Sequence, residues 1–169
     1  MTICLVGSEM CIRDSYDRQI RIGSASTTPE VIIGNVSGNK RGDEAIDLQT
    51  SRASITDVAS GQSAIAIGGD STASGLRSVS IGWASDATQS YATAIGYSNI
   101  ASQSFSSAVG YDNTASGSQS VSFGYSNSVT SSSASAVGLS NTVSSSNASA
   151  YGYSNSVTDD QSSAFGYQN

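Results

Sequence analysis

Ala92-Thr93-Ala94-Ile95-Gly96-Tyr97-Ser98-Asn99-Ile100-Ala101-Ser102-Gln103-Ser104-Phe105 runs straight into Ser106-Ser107-Ala108-Val109-Gly110-Tyr111-Asp112-Asn113-Thr114-Ala115-Ser116-Gly117-Ser118-Gln119. The second stretch repeats the first by residue type. Working outward, Gly68, Gly82, Gly96, Gly110, Gly124, Gly138, Gly152 and Gly166 stand 14 residues apart with no slip. Each follows a large apolar residue: Ile67, Ile81, Ile95, Val109, Phe123, Val137, Tyr151 and Phe165. A small residue precedes that one every time, from Ala66 and Ser80 to Ala150 and Ala164. Five residues after the Gly comes the column Ala73, Ala87, Ala101, Ala115, Val129, Val143 and Val157. Three after it fall Asn99, Asn113, Asn127, Asn141, Asn155 and Asn169. Self-similarity at a fixed period is the mark of a repeat architecture, in which each unit buries its surface on the next.

The unit reads as β. Stretches such as Ser78-Val79-Ser80-Ile81 alternate with period two, which sends successive side chains to opposite faces of a strand. A helix would have to absorb a Gly in every copy, at about 1 kcal/mol each. Two punctuation points about seven residues apart, the fixed Gly and the Gly61, Gly75 or Gly117 position, predict a corner at each, because Gly tolerates the positive φ of tight turns. One unit is then strand, corner, strand, corner: a single coil of a flat roll. Neighbouring coils would pair as parallel strands about 4.8 Å apart, laying like residues in rows. The fold class expected is all-β, a single-stack parallel β-roll. The Ala66-type column is expected to fill the coil interior and the Ile67-type column to face a partner subunit; periodicity alone also permits the reverse.

Composition supports a stack over a globule. Apolar residues make up 37% of the 169-residue chain and charged residues 12%, too few large side chains for an ordinary core. A thin coil stack has little apolar volume of its own, so self-association is expected, with a trimer around a fibre axis as the closed solution. The net charge is −6, and beyond Arg77 there is no Lys or Arg, so a nucleic-acid partner is excluded. There is no His, Lys40 is the only Lys, and no carboxylates pair within the repeats. No catalytic residue, metal site or cofactor is therefore expected, and the chain reads as a non-enzyme. No apolar run is long enough to insert in a membrane.

The units Ser78-Val79-Ser80-Ile81-Gly82 and Ala92-Thr93-Ala94-Ile95-Gly96, with Thr114-Ala115-Ser116-Gly117, resemble the head repeats of YadA-type trimeric autotransporter adhesins over residues 59–169. The resemblance implies a left-handed roll, a homotrimer, and a cell-surface glycan or protein receptor. Bacteriophage tail fibres share the coil, and the stretch from Gly38 to Arg52 leading into Val58-Ala59-Ser60-Gly61 is similar to virion fibre proteins. A phage tail fibre is favoured, giving a virion or extracellular location. The alternatives are the head of a bacterial adhesin at the outer-membrane surface, and an ice-binding or purely structural spacer. Ice binding would use the hydroxyl pairs beside the Ala73 column, such as Thr114/Ser116 and Ser128/Thr130, but the pairs are mixed and interrupted.

Residues 1–15 read as a foreign opening, similar to translated sequencing-adapter read-through, which removes any meaning from Cys4 and Cys11. Residues 16–58 read as a β-rich lead-in or cap, with Gln19–Ile22 and Val31-Ile32-Ile33 as short strands and the Pro29-Glu30 turn and the charged stretch 40–52 at the surface. Arg41-Gly42-Asp43 matches an integrin-ligand tripeptide by chance. The sequons at Asn35 and Asn147 carry no weight. The candidate receptor contact is the aromatic ladder Trp83, Tyr97, Tyr111, Tyr125, Tyr153 and Tyr167, broken by Leu139; its plainer reading is stacking between coils.

Overall fold

The structure, a computed structural model, describes residues 40–169 in full and, before them, the backbone of four strands. These are β1 (Thr2–Val6), β2 (Glu9–Arg13), β3 (Gln19–Ile22) and β4 (Val31–Ile32). The side chains of the adapter-like opening, the Pro29-Glu30 turn and the Asn35 sequon lie outside the described residues. β1 to β4 pair antiparallel in sequence order, and β4 pairs parallel with β5 (Ile46–Ser51). Every strand after that is parallel to its neighbour, and no helix occurs among the described residues.

The repeats form the expected roll. Each coil gives a five-residue strand and a two-residue strand, for example β10 (Thr93–Tyr97) and β11 (Ile100–Ala101). The long strands stack at exact repeat register, Ala94 on Ala108, Ile95 on Val109, Gly96 on Gly110 and Tyr97 on Tyr111. They continue the sheet begun by the lead-in, which reaches 13 strands, and the short strands make a second sheet of seven. Corners are bonded between coils as well: the Asp112 amide donates to the Tyr97 carbonyl at 2.8 Å and the Ser126 amide to Tyr111 at 2.9 Å. Backbone pairing along the stack thus carries most of the coil, as a thin fold with few large side chains requires.

The interior is filled by small residues. Ala66, Ala94, Ala108, Ala136 and Ala150 are fully buried, as are Ala73, Ala87, Ala101, Ala115, Val129 and Val143 opposite them. Where Ser80 or Ser122 takes the Ala66 position, its hydroxyl donates to the carbonyl of Ser85 (2.6 Å) or Asn127 (3.1 Å), so neither of these hydroxyls is left open. The Ile67 column points outward, which selects between the two assignments that periodicity left open.

The corners differ in detail from expectation. Gly68-type residues do take φ near +122°, and a Cβ on Gly110 would meet the Gly124 carbonyl oxygen at 2.0 Å, so both conformation and space demand Gly there. At the other punctuation point Gly61 has an ordinary φ. The positive φ falls two residues later, on Ser63, and it recurs every seven residues through Asp70, Arg77, Ala84 and onward to Gln168. The reason is the turn: Gly61 is its first residue, its carbonyl accepts the Ala64 amide at 3.2 Å, and the third residue carries the positive φ.

The charged stretch 40–52 is only partly at the surface: Lys40, Asp43 and Glu44 are exposed, while Arg41, Asp47 and Gln49 are buried. β5 runs in register with β6 (Ile65–Gly69), which places Asp47 on Ala66 in the interior column. Asp47 is 1% exposed and takes Arg41 Nε at 2.6 Å and Arg52 Nη2 at 2.8 Å. A carboxylate can be buried there because two guanidinium groups arrive to pair with it. Alternation counts residues and not charge, so a charged residue on the inward phase goes inward.

Candidate functional site: the outward face of the long sheet

The long strands present three outward columns. In β10 these are Thr93, Ile95 and Tyr97, with Ala94 buried beneath and the bare Gly96 between the two large side chains. Down the stack the middle column is Ile, Val or aromatic in every coil, half-buried where it is Ile or Val and more exposed where it is aromatic, with Phe123 at 53% and Phe165 at 67%. The short-strand sheet turns a different surface outward: Thr72, Asp86, Ile100, Thr114, Ser128, Thr142 and Ser156. One face of the roll thus carries the large apolar and aromatic side chains beside a column that is mostly Thr or Ser, without charge in the repeats, and the other is mainly hydroxylated.

The ladder residues all lie at the margin of the apolar face, next to a corner. Tyr97, Tyr111 and Tyr125 form one continuous stack with ring centroids 4.9 Å apart, and Tyr153 stacks on Tyr167 at 5.0 Å. Leu139 separates the two runs. Trp83 leans back over Gly69, where an added Cβ would meet its Cζ3 at 2.6 Å. The rings are 40–68% exposed, so they stack on one another and still offer surface. Stacking between coils, the plainer reading, is what the rings show.

Two features went unread in the sequence. Arg77, Tyr91 and Phe105 stand at repeat spacing on the turn edge, with Tyr91 and Phe105 stacked at 4.9 Å and 3° and the Arg77 guanidinium 5.8 Å from the Tyr91 centroid. The same period that found the tyrosines would have found them. The second is the buried asparagine column: Asn113 Nδ2 donates to the carbonyls of Gly124 (2.7 Å) and Val109 (3.1 Å), and its amide donates to Asn99 Oδ1 at 3.1 Å. The Asn spacing was legible, but the inward direction was not.

Arg41 of the Arg-Gly-Asp tripeptide is buried against Asp47, so its guanidinium is turned away from any receptor. Among the described residues no three His, Cys, Asp or Glu side chains gather as a metal site, and no helix is long and apolar enough to cross a membrane. Burial raises the pKa of Asp86, partly offset by a hydrogen bond from Thr72.

Such a parallel β-roll, with uniform coils and a surface built of ladders, belongs to the class of repeat-built β-solenoid proteins. The chain belongs to the family described as the YadA head domain repeat, which matches residues 59–85, 87–113, 101–127 and 144–169, more than half its length. No curated protein matches it. Head repeats of this family carry an adhesin-type function at exposed or extracellular surfaces, and with the solenoid fold they point to a non-enzyme that self-associates and binds host surfaces.

Proposed function

We propose that this chain is a segment of a trimeric attachment fibre, three left-handed rolls packed along the Ile67 column, and that the fibre belongs to a bacteriophage tail. The observation that supports assembly is the uninterrupted outward column Ile81, Ile95, Val109, Phe123, Val137 and Tyr151 on a face without charge. A coil whose own interior is mostly Ala has little apolar area to bury, and a partner laid on this column supplies more. The tyrosine ladder then borders the subunit seam and offers stacked rings to a receptor. Residues 16–58 act as the β-rich lead-in or cap, with β5 pairing along the first strand of the repeats. The head of a bacterial adhesin is the second reading, favoured by the family match itself.

Sedimentation equilibrium tests the assembly. The expected mass is three times the 17.1 kDa chain, and Ile95→Lys with Val109→Lys should give a folded monomer. A monomeric wild type overturns the trimer. Tyr111→Ser with Tyr125→Ser should keep the trimer and weaken binding to cells. Recovery of the surrounding genes separates phage from bacterium.

A further inference from the structure

The third residue of the Gly61-type turn is left-handed in every coil, and five coils place a small or polar residue there: Ser63, Gln119, Ser133, Asn147 and Gln161. Three consecutive coils do not. Arg77, Tyr91 and Phe105 hold φ of 54°, 59° and 60°. A left-handed conformation costs a bulky L-residue about 1–2 kcal/mol. Burial does not offset that cost, since Tyr91 is 39% and Phe105 55% exposed. Strain held at an exposed aromatic cluster is a feature that function explains better than folding does.

The cluster is also the only place where the roll carries positive charge. Arg77 is the sole Lys or Arg from residue 59 to 169, in a chain of net charge −6. Its Nη1 donates to the Tyr91 hydroxyl at 3.2 Å, which fixes the guanidinium over the ring and leaves its other donors at the surface. The stack ends at Phe105, because the next residue in the column, Gln119, accepts a hydrogen bond from Ser133 on its far side, 3.4 Å from Oγ to Oε1. Leu76 extends the apolar surface, and exposed Gln89 and Gln103 flank the rings with amides.

We propose that this edge is a binding site for a carboxylated oligosaccharide. The carboxylate takes the Arg77 guanidinium, a sugar ring lies on the Phe105–Tyr91 aromatic surface, and the two amides meet sugar hydroxyls. From Arg77 to Phe105 is two coil spacings, roughly 10 Å, the span of two to three sugar units. A single cation beside flat rings, on an open edge without a groove, suits a sugar acid better than an acidic peptide. The site lies on the turn edge, separate from the tyrosine ladder, and does not depend on that ladder's role.

Calorimetric titration of the full chain with an oligouronate, its carboxyl-reduced neutral counterpart and an oligoglutamate tests it. The oligouronate should bind, and Arg77→Gln or neutral sugar should each weaken binding by about tenfold or more. Tyr91→Ser with Phe105→Ser should abolish binding with circular dichroism and oligomer mass unchanged, since Ser63 and Ser133 hold the same backbone. Tyr111→Ser should leave oligouronate binding intact, so a failure here is distinct from a failure of the ladder. No binding by wild type, equal binding by the variants, equal affinity for oligoglutamate, or loss of assembly in the variants would each overturn the site.

Discussion

Asn127 shows what one residue does in this fold. Its Nδ2 donates to the Gly138 carbonyl at 2.8 Å and to Asn113 Oδ1 at 3.0 Å, and its Oδ1 accepts the Asn141 amide at 2.9 Å. It thereby links three coils from a buried position. Asn127→Ala should leave a buried carbonyl and an amide unpaired, at about 1–3 kcal/mol each, measured as a lower denaturation midpoint. Asp86 gives the pH dependence. Its pKa is raised in the folded state by burial, so the native form holds the proton more tightly than the unfolded chain. Its contribution therefore falls as pH rises from the unfolded value through the folded one. Asp86→Asn should be more stable than wild type at neutral pH, with the advantage vanishing at strongly acidic pH. A pH-independent difference would refute this.

At the scale of elements, the long strand, the short strand and their stacking were legible because alternation and period are properties of spacing alone. The lead-in was legible only in part. Its short strands at 19–22 and 31–32 could be read, but β5 and its burial could not, since the charged composition of residues 40–52 argued for solvent while the register with β6 turns alternate residues to the interior. Register prevailed because Arg41 and Arg52 both reach Asp47. Removing the hub tests this: Asp47→Ala should strand two buried guanidinium groups and cost about 3–5 kcal/mol, read by urea denaturation. A change under 0.5 kcal/mol, typical of surface sites, would return the stretch to solvent. The left-handed residue of the Gly61-type turn was misplaced by two residues for a related reason. Gly at position 61 marks where the turn begins and a neighbouring backbone comes close, while the left-handed residue has a side chain and leaves no signature in composition.

At the scale of the whole molecule, each coil touches only its neighbours, so stability is close to a sum over coils. Deleting residues 100–113, one complete unit of 14, should give a shorter roll with the same circular dichroism and a modestly lower midpoint. Deleting residues 100–112 should not fold, because a one-residue slip sends interior Ala and Asn outward and Ile and Tyr inward. The two faces of the roll differ at this scale as well, one carrying the large apolar and aromatic side chains, the other mainly hydroxylated. What the sequence by itself determined is the coil: its length, its β character, its register and the rows of like residues, all of which follow from spacing that survives without coordinates. What only the tertiary structure decided is direction. Whether Ala or Ile fills the interior, whether Asn and Asp47 are buried, and which edge gathers Arg77, Tyr91 and Phe105 depend on the phase of the alternation. That phase is set by which side chains fit a thin interior and find hydrogen-bond partners there.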